Sequence, residues 1–464
     1  MIERPIGSPR PGGGAFAALS APNFRRYLSG QAVSLIGTWT ETVAQALLVL
    51  RLSHSGTVLG LVTAARFLPT LLLSPYGGVL ADRYPKRRVL IVTQVSLALV
   101  SLVLGLLVVT AVVRLWQVAI LATLFGALAA VDNPARLAFV GEIVDRERLR
   151  DAVTLNTTVV NVARAVGPAI AGVLVITVGI GACFLVNAAS FTAVVAALAT
   201  LDAAQLRPAA VAPPARSWLR DGVRYARRRP DILAPLLMMA LVGTFTYEFE
   251  VTLPLVARDT FHGGPTAYSW LLGAFGCGAV LGGLGAARRA ASGIGALAAS
   301  AAGFGAATMS AALAPSFWIE DVLLAVVGAS SITFLTTGNS TVQLAATPEF
   351  RGRVTALWST ALVGSTAIRA PVVGLVADRA GPRSALALGV IACAVAVLVG
   401  LTLLHRAPRV SVPAPSDAKH ERAAALDPRR TANAASARPA NAGSSPSHNR
   451  PPRSVDVQPT TEAI

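Results

Sequence analysis

The chain has 464 residues, of which 54% are hydrophobic and 14% charged, and its mean hydropathy is +0.61. This composition excludes an ordinary soluble globular protein and indicates a membrane protein. The formal net charge of +17 would suggest a nucleic-acid partner in a soluble chain. The three cysteines, Cys183, Cys277 and Cys393, lie in separate apolar runs without metal or redox spacing, so we expect them to pack between helices.

Twelve apolar stretches follow a polar, Pro/Gly-rich leader at residues 1–26. The first six are 28–50, 57–80, 89–112, 115–135, 154–177 and 181–201, and the second six are 232–256, 267–287, 293–314, 319–343, 354–377 and 384–404. Each has the length of a transmembrane helix, and a helix satisfies its own backbone hydrogen bonds in lipid. The first stretch is too long for a signal peptide and has no convincing cleavage site. We therefore predict an all-α membrane protein with six-helix bundles at 27–201 and 232–405.

The basic residues between the stretches are unevenly distributed. Nineteen lie on one side: Arg83, Lys86, Arg87, Arg88, Arg136, Arg146, Arg148, Arg150, Arg207, Arg216, Arg220, Arg224, Arg227, Arg228, Arg229, Arg288, Arg289, Arg351 and Arg353. Five lie on the other: Arg51, Arg114, Arg258, Arg379 and Arg383. Because positive connections stay in the cytoplasm, both termini are predicted to be cytoplasmic in a bacterial plasma membrane. The surplus charge then reflects topology, and we expect membrane lipids and no nucleic acid as partners.

The two halves resemble copies of one sequence. An offset of 203 residues pairs Arg26 with Arg229, and Pro168 with Pro371 in the fifth helix of each half. Parallel repeats of this kind are typical of transporters whose two bundles move around a central site.

A basic segment connects the halves at residues 202–231. Arginines at helical spacing line one face of it, and Trp218, Leu219, Val223 and Ala226 line another, which indicates an amphipathic helix at the cytoplasmic leaflet. It is interpreted as a topological anchor, with a lipid-sensing role as the alternative. The tail at 406–464 is rich in Pro, Ala, Ser and Asn and is predicted to be disordered.

The loop between the second and third helices carries the most specific motif, GVLADRYPKRR at residues 78–88. It resembles the G-x-L-a-D-r-x-G-r-k signature of the major facilitator superfamily, with Pro85 in place of the second glycine. The resemblance implies two six-helix bundles and assigns gating roles to Gly78, Asp82, Arg83 and Arg87. A related string at 374–383 lies on the opposite side by the helix count and is interpreted as a surface turn.

The fifth helix contains the pair Gly167-Pro168, followed by Gly172. This stretch resembles the G-P-x-x-G element associated with antiporters of the same superfamily, and a kinked packing helix is the alternative. Strings at 133–136 and 347–354 resemble the branch that contains enterobactin exporters and macrolide efflux proteins. The resemblance implies proton-driven export of amphipathic compounds, with no cofactor.

Seven charged residues lie inside the apolar stretches, where each costs about 2.5 to 3.5 kcal/mol on insertion scales. They are Glu41, Arg66, Asp132, Arg164, Glu248, Glu250 and Arg369. Glu41 is the first candidate for a proton carrier. Burial raises the pKa of a carboxyl group and a neighbouring arginine lowers it, and together they can bring the pKa into the range in which the group binds and releases a proton. The alternative for Glu41, not exclusive of the first, is a salt bridge to Arg66 or Arg164.

The remaining polar groups have narrower predictions. Asp132 is expected to pair with Arg136 or with the loop at 78–88. Glu248 and Glu250 are two residues apart and cannot share a helix face, so at most one should face a cavity. Arg369 is expected to pair with a glutamate of the seventh helix, or else to bind an anionic group. Gln45 and Asn161 complete the predicted cavity set.

These features favour a secondary transporter, monomeric and without metal or cofactor, that exports a small molecule using the proton gradient. No phosphate-binding loop and no metal-ligand spacing is found in the sequence, so an enzyme is not predicted. A facilitator-type importer or uniporter and a non-transporting scaffold or sensor are the alternatives.

Overall fold

The computed structural model describes residues 17–145, 147–207, 218–289, 292–364 and 366–406. Among them, twelve helical segments are long and apolar enough to cross a membrane, which confirms the predicted number. The first sixteen residues of the predicted leader, residues 208–217 of the linker and the tail from 407 onward lie outside the described residues.

Six helices form the N-terminal half: α1 Pro22–Ser53, α2 Gly56–Arg83, α3 Lys86–Val109, α4 Leu115–Ile143, α5 Leu149–Thr177 and α6 Ile180–Ala199. A linker helix, α7 Trp218–Arg227, follows. The C-terminal half contains α8 Pro230–Phe245, α9 Phe249–Leu255, α10 Pro265–Arg289, α11 Ile294–Ala312, α12 Phe317–Ala345, α13 Pro348–Gly364, α14 Thr366–Ala380 and α15 Pro382–Arg406. One span comprises α8, α9 and a π-helical end at Val256–Thr260, and another comprises α13 and α14. Short 3₁₀ turns lie at Ala17–Ser20 and Ala203–Gln205.

The observed helices extend beyond several predicted stretches, and two of the differences have a local explanation. The first helix begins at Pro22, inside the predicted leader, because proline fits the first turn of a helix, where no amide hydrogen is needed. The seventh span is interrupted between Phe245 and Phe249. Just after the interruption, Pro254 cannot donate a backbone hydrogen bond, and a π-helical turn follows it.

The two halves repeat the same local contacts. A methyl group at Gly126 in α4 would lie 1.8 Å from the carbonyl oxygen of Arg66 in α2, and one at Gly328 in α12 would lie 2.0 Å from that of Phe275 in α10. These are the second and fourth spans of each half. Only glycine permits such backbone approaches, which pack transmembrane helices closely. The recurrence supports the predicted internal repeat.

The linker helix packs against the C-terminal half. The Tyr225 and Phe350 rings stack with centroids 4.2 Å apart, and the Tyr225 hydroxyl accepts a hydrogen bond from the Thr347 backbone amide at 3.2 Å. Ala226 is buried, whereas Val223 on the predicted apolar face is exposed. The segment is helical over Trp218–Arg227, as predicted, and Tyr225 contacts the bundle through these two interactions.

The halves contact each other near one end of the bundle. We call it the arginine-poor end, because its connections carry five basic residues, compared with nineteen at the other end. The five are Arg51, Arg114, Arg258, Arg379 and Arg383. A methyl group at Gly60 in α2 would lie 2.1 Å from the Ala370 carbonyl oxygen in α14. A second crossing brings Gly172 of α5 against Ser269 of α10. A third crossing brings Gly276, near the middle of α10, against the backbone of Ala165 in α5, with a methyl position 2.8 Å from the Ala165 Cα atom. The other end is the arginine-rich end.

Candidate functional site

A cavity of about 570 Å³ lies between the two halves. This volume suits a drug-sized organic molecule. Its walls carry seven aromatic side chains, Trp39, Phe67, Phe125, Phe191, Tyr247, Phe249 and Phe275. Six charged side chains also line it: Arg66, Asp132, Arg136, Arg164, Glu250 and Arg369. Both halves contribute, so a bound molecule would contact both.

Arg369 and Glu248 form a buried ion pair at the edge of the cavity. Nε of Arg369 lies 2.5 Å from Oε2 of Glu248, and the guanidinium also donates to the Gly243 carbonyl oxygen. The interruption of the seventh span places Glu248 at the first residue before α9, where it can reach α14. The predicted pairing of Arg369 with a glutamate of this span is confirmed.

Glu250 is the second residue of α9, directly after the interruption, and it lines the cavity. No hydrogen bond to its carboxylate is found in the described part of the chain. The prediction that at most one of these two glutamates faces the cavity holds, but the cavity-lining residue is Glu250, whereas the predicted cavity set included Glu248. Which of the two faces the cavity could not be assigned from the sequence, because the helix is interrupted at 246–248 and the helical periodicity of the preceding residues does not extend to Glu250.

Arg164 extends from α5 into the cavity. Its guanidinium carbon lies 4.9 Å from the centre of the Trp39 ring, and its Nε is buried without a hydrogen-bond partner among the described residues. No carboxylate in the described ranges lies within 4.0 Å of it. Stacking on an aromatic face stabilises such a cation.

Arg66 occupies a similar position on α2. Its guanidinium carbon lies 4.3 Å from the centre of the Phe125 ring, and Nη1 donates to Oε1 of Gln45 at 2.8 Å. Gln45, which the sequence placed in the cavity set, is buried and is not among the residues that line the cavity; it instead orients Arg66. Arg66, too, has no carboxylate within ion-pair distance among the described residues.

Glu41 lies behind the cavity wall, between α1, α3 and α6. Its Oε2 accepts hydrogen bonds from the Ser101 hydroxyl at 2.6 Å and from the Asn187 amide at 2.5 Å, and the side chain is 2% exposed. The alternative of a salt bridge to Arg66 or Arg164 is wrong, because both arginines have other contacts on the cavity side. A proton-carrying role for Glu41 stays a prediction.

Asp132 pairs with Arg136, one turn along α4. The carboxylate also accepts from Thr93 at 2.7 Å and from Gln94 at 2.9 Å, so its charge is fully engaged. The predicted pairing with Arg136 is confirmed.

The fifth-helix motif brings helices together. A methyl group at Gly167 would lie 2.4 Å from Cβ of Trp39 in α1, and Gly172 faces α10 of the other half. The helix continues through Pro168, and Asn161 is half-buried one turn and a half before the motif. Both the packing and the antiporter interpretation are compatible with these contacts.

The motif loop at 78–88 is tied to the N-terminal half. Arg87 donates to the carbonyl oxygens of Leu198 at 2.7 Å and of Ala199 at 2.9 Å, which complements the negative end of α6. Arg83 is exposed at the end of α2, and the Asp82 side chain lies outside what the structure describes.

Gly78 makes no close helix contact, because a methyl group there would meet no atom within 4 Å. The neighbouring Gly77 makes the close contact, with a methyl position 2.2 Å from the Ala130 carbonyl oxygen. Adjacent helical residues point in directions about 100° apart, so only one of the two can face α4. The gating roles carried over from the resemblance stay predictions.

The string at 374–383 is not a surface turn, because its first seven residues complete α14. At the arginine-poor end its Asp378 carboxylate accepts hydrogen bonds from the backbone amides of Gly56 at 2.6 Å and Thr57 at 2.8 Å. The hydroxyls of Ser55 and Thr57 donate to it at 2.7 Å. A carboxylate at a helix N-terminus satisfies free amides and the helix dipole. Asp378 thus caps α2 from the opposite half.

Comparison with known proteins agrees with this architecture. The family described as "transmembrane secretion effector", a major facilitator family, matches residues 13–432. The staphyloferrin A transporter of Staphylococcus aureus is 34% identical over 149 residues, which span 32% of this chain and only 38% of that relative. Macrolide efflux protein A of Streptococcus pyogenes is 24% identical over 362 residues, which span 76% and 89% of the two chains.

A solved structure shares the fold. A bacterial homologue of the human lysosomal transporter Spinster, in an inward-facing and unoccupied conformation, superposes with a TM-score of 0.64 at 15% identity, covering 84% of this chain and 99% of that one. The matched family, the twelve spans and the central cavity lead to one conclusion. The chain is a multi-pass membrane transporter of the transmembrane secretion effector family within the major facilitator superfamily.

Proposed function

We propose that the chain is a proton-coupled exporter that carries amphipathic organic molecules across the plasma membrane by alternating access. The observation that carries this proposal is the cavity between the halves, which both halves line and which Asp378, Gly60 and Gly374 close at the arginine-poor end. With arginine-rich connections in the cytoplasm, this conformation opens toward the cytoplasm, where an exporter collects its substrate.

Glu250 is the proposed proton carrier. A coupling carboxyl group must meet water from each side in turn, and Glu250 lines the cavity without a fixed hydrogen-bond partner among the described residues. Arg164 lines the same cavity from the other half. Their separation therefore changes as the halves move, which couples the charge of Glu250 to the conformation. Glu41 is the alternative carrier.

The direction of transport and the substrate class draw support from the relatives. One is a macrolide efflux protein and another a staphyloferrin A transporter, so export of an organic compound of similar size is the proposal. A facilitator without proton coupling is the competing function, and it would use the same cavity.

Uptake into everted membrane vesicles tests the proposal. A compound panel first identifies molecules to which an efflux-deficient bacterial host becomes resistant when it expresses the chain. In vesicles energised by respiration, such a compound should accumulate above its external concentration, and an uncoupler should abolish the accumulation. Uptake that only equilibrates, with the same rate in the presence of the uncoupler, would identify a facilitator instead.

A further inference from the structure

The charges in the cavity do not balance. Arg136 is paired with Asp132, and Arg369 with Glu248. That leaves Arg66, Arg164 and Glu250, so the remaining groups carry an excess of one positive charge among the described residues. An arginine kept in a membrane protein without a carboxylate partner is costly, and such residues usually mark the path of a substrate or ion.

The two arginines are held in the same manner. Each guanidinium stacks on an aromatic ring, Phe125 for Arg66 and Trp39 for Arg164, and both line the cavity. The Gln45 amide oxygen fixes Arg66 from one side. Arg164 has a buried Nε that no described group engages. A guanidinium fixed in this way presents its free N–H groups in a planar fork that matches a carboxylate or another planar oxyanion.

We propose that Arg66 and Arg164 bind an acidic group of the substrate, so that the transported class is anionic and amphipathic, with an aromatic or comparably apolar body. The seven aromatic side chains of the cavity wall contact that body. A charged Glu250 then repels the acidic group of the substrate, and a protonated Glu250 does not. This inference rests on the proposed function in one respect only: it takes the cavity as the substrate site.

Binding to the purified full-length chain in detergent tests the charge preference without any proton gradient. Three probes share one aromatic body: dansylglycine is an anion, dansylglycinamide is neutral, and dansylcadaverine is a cation. Fluorescence titrations are corrected with protein-free micelles. Dansylglycine should bind about tenfold more tightly than dansylglycinamide, since a charge-assisted contact is worth about 1.4 kcal/mol or more, and dansylcadaverine should bind least.

Variants separate the two arginines from the rest of the molecule. Arg66→Gln and Arg164→Gln should each weaken dansylglycine binding about tenfold and leave dansylglycinamide within twofold, because only the charged contact is lost. Arg383→Gln is the matched control: Arg383 also lies over an aromatic ring, Phe261, but away from the cavity. It should leave dansylglycine affinity within twofold. Glu250→Gln should increase dansylglycine affinity, because the carboxylate that repels the acidic group is removed.

Several outcomes would overturn the inference. These are equal affinity of the wild type for dansylglycine and dansylglycinamide, tighter binding of dansylcadaverine that Glu250→Gln abolishes, or no binding of any probe up to millimolar concentration. If a glutamine variant aggregates, Arg66→Lys and Arg164→Lys replace it and should retain part of the preference. Charge-selective binding without proton-driven uptake would reject the proposed coupling while keeping this inference.

Discussion

The carboxylate of Asp378, near the end of α14, accepts a hydrogen bond from the backbone amide of Gly56, the first residue of α2, at 2.6 Å. These residues lie 322 positions apart in the chain and in opposite halves. Three further hydrogen bonds from Ser55 and Thr57 reach the same carboxylate. The contact exists only while the arginine-poor end is closed, so it stabilises that conformation selectively.

Asp378→Ala should open the arginine-poor end more often. Because Asp378 is exposed and solvent screens its charge, the loss is about 1 kcal/mol, which shifts the equilibrium between conformations roughly fivefold. Spin labels at the exposed residues Val178 and Leu313, one on each half, report the opening as a longer distance in double electron–electron resonance. Cys277, the exposed native thiol, is first replaced by Ser. Asp231→Ala, in an ion pair within one half, is the control, and an unchanged distance in Asp378→Ala would contradict the latch.

Gly60→Val should impair transport at least tenfold while the protein still accumulates in the membrane, because the added side chain would overlap the Ala370 carbonyl oxygen when the arginine-poor end closes. The initial rate of uptake into everted vesicles measures the effect. Gly303→Val is the control, since a side chain there meets no atom within 4 Å. Wild-type rates for Gly60→Val would show that α2 and α14 need not approach this closely.

Arg369→Gln should destabilise the protein, because it leaves the Glu248 carboxylate buried without its cation. Breaking one side of a buried pair costs about 3 to 5 kcal/mol, more than removing both charges. The double variant Glu248→Gln with Arg369→Gln should therefore recover part of the loss. Thermal unfolding of the purified protein in detergent, followed by tryptophan fluorescence, gives the comparison. A double variant no more stable than Arg369→Gln would show that the pair is not the reason.

Glu250→Gln should abolish concentrative uptake but leave passive exchange of substrate, because a glutamine cannot carry a proton. Glu41→Gln should retain concentrative uptake, since its amide oxygen can still accept the hydrogen bonds from Ser101 and Asn187. Vesicle uptake with and without an uncoupler separates the two variants. Loss of coupling in Glu41→Gln, with normal coupling in Glu250→Gln, would reverse the assignment.

The twelve spans were predictable because a membrane-spanning helix needs a continuous apolar stretch, which is visible in any chain. The Arg369–Glu248 pair was predictable for a related reason. Charged residues inside membrane-spanning segments are rare, and they usually form ion pairs with one another. Neither prediction depends on the direction in which a side chain points. The span to which a residue belongs, and its depth in the membrane, can therefore be predicted from the sequence.

The direction of a side chain and the contacts between residues far apart in the sequence were harder to predict. Gly77 and Gly78 are adjacent, yet only Gly77 faces α4, and Glu41 points away from the cavity that its depth suggested. A helix that is apolar all round gives little periodicity from which to infer its buried face. The cap that Asp378 places on α2 joins opposite halves, and nothing local in the string at 374–383 indicates its partner.

Proton movement in proteoliposomes is the most direct test of whether the chain exchanges protons for its substrate. Purified chain is reconstituted with a pH-sensitive dye inside, and a compound from the resistance panel is added in the absence of any other energy source. We expect a proton flux opposite in direction to the movement of the compound, with a reduced flux in Asp378→Ala and Gly60→Val and no flux in Glu250→Gln. Equilibration of the compound without any proton movement in the wild type would contradict it.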